Sequence, residues 1–169
     1  MNITKSVIFL IVMPGAVMVY LPYYLLSLNI DLFFPDINGF KFLGFIPALI
    51  GSYLIFWCWK DFIKFGKGTP SPTDPPEKLV VKGLYRLTRN PMYVGVGFVL
   101  FGEILFFEST VLIIYTFLIL FVFHLFVVLY EEPALKKKFG NSYKEYIDSV
   151  PRWLPKLNSI YNIFRKKNS

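Results

Sequence analysis

Residues 79–97, Leu-Val-Val-Lys-Gly-Leu-Tyr-Arg-Leu-Thr-Arg-Asn-Pro-Met-Tyr-Val-Gly-Val-Gly, set Lys82, Arg86, Arg89, Asn90 and two tyrosines directly ahead of an apolar segment. Asn90-Pro91 reads as a helix start, because Asn is a good N-cap, Pro suits the first helical position, and the residue before Pro is driven out of the helical region. The unpaired N–H groups of that first turn carry partial positive charge and form a docking point for an anionic group. A second pair, Glu131-Glu132, closes a later apolar run at the negative pole of its helix, where anions are unfavourable. Arg86 or Arg89 would answer these acids structurally. A ligand with hydroxyls or a positive centre would answer them functionally, and the ligand is the preferred reading. The single histidine, His124, lies seven residues before Glu131 and so on the same helix face. Two readings stand side by side for it, a site residue facing the bundle interior or a buried His bonded to a neighbouring helix. Glu103, farther along its segment, reads as an interhelix hydrogen-bonding or snorkelling residue.

Other chemistries lack their residues. Cys58 is the one cysteine, which rules out an internal disulfide and gives no metal cluster; between Trp57 and Trp59 it reads as a small buried apolar residue. Gly66-Lys67-Gly68 has no strand and helix around it, so it is not a phosphate loop.

The elements that must position these groups are membrane helices. The composition, 55% hydrophobic and 20% aromatic, is that of a membrane protein. Crossing the hydrocarbon layer takes roughly 20 apolar residues, and four runs qualify, 6–28, 42–59, 91–107 and 110–130, the third short and holding Glu103. Pro14 and Gly15 are expected to kink the first. The fold expected is an all-α polytopic helix bundle, one membrane domain with four transmembrane helices, a cytoplasmic loop and short C-terminal surface helices. Within it, residues 1–60 supply two N-terminal helices and 61–169 the ligand-binding core.

Basic residues set the orientation. Lys5, seven residues between 60 and 89 and nine between 136 and 167 fall on one side, and Lys41 alone on the other. The positive-inside rule makes the first side cytoplasmic, with both termini there. Topology and anionic lipid thus explain the net charge of +7 without nucleic acid. The setting expected is the plasma membrane of a prokaryote, with membrane lipids as partners.

Gly44, Ala48, Gly51 and Ser52 offer a small-residue face for close helix packing. The Asp31 and Asp36 loop suits the outer side, and the Pro- and Gly-rich stretch 66–77 is a linker or a rigid wall over a site. With Glu108 and Ser109 alone between them, helices three and four form a hairpin that pairs Tyr93 with His124 in depth. Beyond Pro133 a short basic helix is expected to close at Phe139-Gly140. Ser142 to Glu145 fits a capping box opening another helix to about Val150, and residues 151–155 are extended. These amphipathic pieces lie on the cytoplasmic surface and cover the site.

Leu79-Val80, Gly83, Tyr85, Arg89 to Gly95, Glu131-Glu132, Leu135, Phe139-Gly140, Tyr143, Tyr146 and Val150-Pro151 resemble the C-terminal half of the isoprenylcysteine carboxyl methyltransferases. Asn90 to Tyr93 and Tyr130 to Pro133 are equally similar to the phospholipid N-methyltransferases acting on phosphatidylethanolamine. The resemblance covers roughly residues 66–155. It implies an integral membrane methyltransferase that uses S-adenosyl-L-methionine, with a lipid or small lipophilic acceptor entering from the bilayer. The matching positions that would surround the cofactor are Leu79, Val80, Tyr85, Asn90, Pro91, Met92, Tyr93 and Glu131. Two positions depart from the carboxyl methyltransferases. Asn90 replaces a His and cannot exchange a proton near neutral pH, and Val127 replaces an Arg, which leaves a prenylcysteine carboxylate without its ion-pair partner.

Methyl transfer from a sulfonium needs alignment rather than a covalent intermediate, so the absence of a Ser-His-Asp set is no obstacle. Tyr85 and Tyr93 offer ring faces to the sulfonium, Glu131 suits ribose hydroxyls, and His124 is the base an amine acceptor would need. The alternatives are a non-catalytic membrane scaffold or lipid-binding protein, and a relative of membrane sterol reductases, for which no nicotinamide fingerprint is present.

Overall fold

Proline and glycine decide where the helices of this chain deform and how closely they pack. The computed structural model describes residues 12, 14–30, 39–62, 64 and 79–155, and every regular element among them is helical. In chain order these are α1 (Ala16–Ser27), α2 (Phe40–Asp61), a short 3-10 helix (Gly83–Arg86), α3 (Pro91–Phe107), α4 (Thr110–Phe139) and α5 (Asn141–Ser149). The loop with Asp31 and Asp36, the stretch 66–77 and the C-terminal tail lie outside the described residues.

α1 opens with a wide turn, Ala16–Tyr20, in which the Leu21 N–H reaches back five residues to the Ala16 carbonyl. Its cause is Pro22, which has no N–H and whose ring collides with the carbonyl four residues earlier. The distortion expected at Pro14-Gly15 involves the turn before Pro14, of which residues 10, 11 and 13 lie outside the described residues. The wide pattern would pair the Val17 carbonyl with residue 22, where no donor exists. The Tyr115 hydroxyl donates to that carbonyl instead, at 2.7 Å, and ties α4 to α1. α4 repeats the device: Pro133 is preceded by the wide turn Val127–Glu131, with the Glu132 N–H bonded to the Val127 carbonyl. The short basic helix expected beyond Pro133 is therefore a continuation of α4, because the wide turn absorbs the proline without breaking the rod.

α2 and α3 pack through small residues. A methyl added at Gly102 would come within 2.8 Å of Ala48 Cβ, and one at Gly95 within 3.0 Å of the Gly51 carbonyl. The predicted small face of α2 is used at Gly44, Ala48 and Gly51, whereas Ser52 is exposed and bonds back to the Ala48 carbonyl. Glu108 in the left-handed region and Ser109, whose Oγ accepts from the Leu112 N–H at 3.4 Å, turn α3 into α4, as the hairpin reading requires. Val17, Ile55, Val96, Val99, Leu100 and Tyr115 form the core between α1, α2, α3 and α4. Outside it the helices stay apolar, with Phe117 72% and Leu49 69% exposed. Such helices suit a hydrocarbon surrounding. α2 and α4 are long and apolar enough to cross a membrane; α1 and α3 are shorter apolar helices.

The capping box does not form. α5 begins at Asn141, after Gly140 at φ +55°, with no side-chain cap. Its Tyr143, Tyr146 and Val150 instead seat on Leu79, Val81, Leu135 and Phe139, because apolar burial of that face sets where the helix starts. Residues 151–155 bend rather than extend.

Candidate functional site

The segment from Leu79 to Asn90 is held from two sides. Towards α2, Val80, Tyr85 and Met92 pack with Cys58, which is 0% exposed, and the Tyr85 hydroxyl donates to the Cys58 sulfur. At the end of α2 the Asp61 carboxylate accepts from the Trp57 indole and lies against Gly83, whose φ of +55° and contact with that carboxylate both exclude a side chain. From the other side the Tyr146 hydroxyl donates to the Tyr85 carbonyl at 2.7 Å. Burial pushes the phenols of Tyr85, Tyr143 and Tyr146 above their ordinary range, so all three stay neutral hydroxyls.

Glu131 and Glu132 part company. The Glu132 carboxylate is the centre of a clamp: Arg152 donates to it twice, Nε at 2.7 Å and Nη2 at 3.1 Å, and Arg89 Nη1 lies 3.0 Å away. This Glu132 bond in turn raises the Arg152 pKa. Arg89 and Glu132 are both nearly buried, with side chains 8% and 9% exposed, so their charges face each other out of contact with water. So the structural answer, through Arg89, holds for Glu132, contrary to the preferred reading of both acids as ligand groups. Glu131, half-buried, instead accepts from the Tyr93 hydroxyl. The wide turn is the reason, since its extra residue rotates Glu131 relative to an ordinary helix.

The clamp also fixes a strap, residues 150–153, that the sequence offered only as a covering segment. Thr88 Oγ1 and Asn90 Nδ2 both donate to the Arg152 carbonyl, at 2.8 and 3.1 Å, and the Arg89 N–H donates to the Pro151 carbonyl at 2.9 Å. Asn90 thus stands at the N-cap position of α3 but does not cap it with its side chain, which is drawn to the strap; Pro91 takes the first helical position as predicted. The strap carries Trp153 across one end of the α3/α4 hairpin. Its indole N–H donates to His124 Nδ1 at 3.2 Å, and its ring meets Tyr93 edge-on at 6.4 Å between centroids.

Below Trp153 opens a groove of about 620 Å³, with Tyr93, Gly97, Phe98 and Phe101 on the α3 side and Phe117, Leu120, Phe121 and His124 on the α4 side. Tyr93 and His124 therefore share one cavity, as their equal depth in the hairpin implied. Tyr93 and His124 line the groove and Glu131 is bonded to Tyr93, whereas Asn90 is drawn to the strap and Leu79, Val80, Tyr85 and Met92 belong to the packed clusters behind. Sequence reasoning missed Thr88, Arg152 and Trp153. The available signal was a Trp and an Arg enclosed by Pro151 and Pro155. Among the described residues no cluster of His, Cys, Asp and Glu could hold a metal.

Among curated proteins there is no significant match to this chain. The model of the phospholipid methyltransferase family matches residues 40–142, from α2 through the buried segment and the hairpin to the start of α5, and the chain belongs to that family of membrane methyltransferases.

Proposed function

We propose that this protein transfers a methyl group from S-adenosylmethionine to a lipid or other small lipophile. The observation that carries the reading is the Tyr93–Glu131 hydrogen bond beside an apolar groove, which puts a carboxylate and a ring next to a path from the bilayer. The proposed topology has four crossings, with residues 60–89, the end of α4 and both termini cytoplasmic. Residues 61–169 then form the working core and 1–60 its support.

The residues fit a nucleoside cofactor with an amino-acid tail. Glu131 can accept from ribose hydroxyls while Tyr93 fixes its orientation. The cofactor, when bound, supplies a methyl on a positively charged sulfur. The chain's own work is positioning, worth about 7 to 11 kcal/mol when good. Leu79, Val80, Tyr85, Pro91 and Met92 serve as the wall that keeps Asn90, Tyr93 and Glu131 in register. Trp153 shields the mouth from water. With His124 Nδ1 accepting from Trp153, the remaining proton sits on Nε2. His124 takes a proton from an acceptor only when Trp153 turns away.

The test is calorimetry on detergent-purified protein with S-adenosylhomocysteine, followed by labelled methyl transfer to a total lipid extract. Saturable binding that Glu131→Ala removes, and label in a lipid fraction, are expected. No binding to the wild-type protein overturns the proposal.

A further inference from the structure

Five glycines lie within the α2–α3 pair, and four of them have a packing reason. Gly44, Gly51, Gly95 and Gly102 each face backbone atoms of the opposite helix so closely that a methyl would collide. Gly97 does not. A methyl there would meet Leu120 Cδ2 at 3.4 Å, an ordinary contact, and nothing else within 4 Å. Gly97 is therefore the one of the five that the packing of α2 on α3 does not dictate, and it borders open space instead.

That space is the groove. Tyr93, Gly97 and Phe101 recur every four residues along one side of α3, and Phe117, Phe121 and His124 follow one face of α4. Gly97 is the midpoint of the α3 row and the one position in it without a side chain. Polar groups collect at the Trp153 end, and the walls beyond Gly97 are aromatic and aliphatic. From Tyr93 to Phe101 the helix rises about 12 Å, the length of about ten methylenes in an extended chain.

We infer that Gly97 is the gate of a binding tract for one unbranched hydrocarbon chain of the acceptor, with the polar end held at Tyr93, His124 and Trp153. This rests on the proposed methyl transfer for the identity of the reaction but not for the occupancy of the groove. An amphiphile is the occupant that matches a tract polar at one mouth and apolar along its lipid-facing length. A chain in a bilayer is already among hydrocarbon, so moving it into the groove gains little from the hydrophobic effect. The tract therefore selects by shape and length, and a side chain at 97 shortens it.

The probe is a single-chain alkyl amine with a photoreactive diazirine near its terminal methyl, in lipid nanodiscs holding the full chain. Wild-type protein is expected to take label on Phe101 and Phe117 peptides. Gly97→Leu should lose about tenfold of that label, whereas a probe with a chain about half as long should be unaffected, the size of effect that shape rejection in an apolar pocket gives. Circular dichroism and the thermal midpoint of Gly97→Leu, compared with wild type in the same nanodiscs, serve as the folding control. Label spread evenly over all lipid-facing helices, equal labelling of wild type and Gly97→Leu, or chain-to-chain crosslinks through the groove would each overturn the inference. Binding of S-adenosylhomocysteine is measured on the same samples. Groove labelling without it sinks the methyl-transfer reading alone, and binding without groove labelling sinks the gate alone.

Discussion

Glu131 and Glu132 are adjacent in sequence, yet one is committed to the protein's own arginines and the other faces a tyrosine at the groove. Glu132→Gln should destabilise the protein by about 3 kcal/mol, the cost of leaving a buried arginine unpaired. It should also loosen the strap, because Arg152 now meets one neutral amide oxygen at residue 132 in place of two carboxylate oxygens. Glu131→Gln keeps the clamp and should leave the unfolding midpoint within a degree or two while weakening cofactor binding at least tenfold, the effect of a lost charge-assisted bond. Thermal unfolding in detergent, paired with calorimetry, separates the two. The tyrosines add a pH dependence. Folding holds Tyr85, Tyr143 and Tyr146 neutral, with pKa values above the ordinary 10.0, so only the unfolded chain ionises them near that pH. Stability is fully present below the unfolded value and falls as pH climbs past it. The midpoint should be flat up to about pH 9 and drop above about pH 10, with Tyr143→Phe reducing the drop.

Helix packing and helix register are the properties of elements here. Gly51→Val should separate α2 from α3, because a branched side chain would press on Val99, whose N lies 2.8 Å from even a Cβ at that position. A loss of about 1 to 3 kcal/mol is expected, against none for Ser52→Val on the exposed face. Pro133→Ala removes the reason for the wide turn before it, and the regular helix that forms should rotate Glu131 off Tyr93. Cofactor affinity should fall while circular dichroism keeps the helix content. The sequence made some of this legible and not the rest. α3 was read at Pro91–Phe107 because its start is a proline and its end a two-residue turn, both local signals. The small-residue face was visible because spacing alone defines it. The unbroken α4 was not, since a proline after two acids is a stop signal locally and is overridden by packing of Leu135 and Phe139 under α5. The Asn90 amide went to Arg152, 62 residues away, and no local rule reports a partner at that distance.

At the scale of the molecule, antiparallel contacts constrain the proposed topology more tightly than hydropathy does. α3 runs against α2 through Gly95 and Gly102, and the Glu108-Ser109 turn sets it against α4, so α2 and α4 point the same way. Two parallel spans require the intervening chain to return across the bilayer, and α3 is the apolar helix between them. At 17 residues it is about 25 Å long, a few ångströms short of the roughly 30 Å hydrocarbon layer. In the proposed topology, local thinning of the bilayer around the hairpin would accommodate that difference. Cysteine accessibility tests the arrangement cleanly, because Cys58 is fully buried and silent to a membrane-impermeant maleimide. Asn29, Arg86 and Lys137 are exposed and flank α1, α3 and the far end of α4. In sealed inside-out vesicles Arg86→Cys and Lys137→Cys should label and Asn29→Cys should not, with the pattern reversed in right-side-out vesicles. Labelling of Asn29→Cys and Arg86→Cys from the same face would mean that α2 does not cross, and the groove beside α3 would then open to water rather than to lipid.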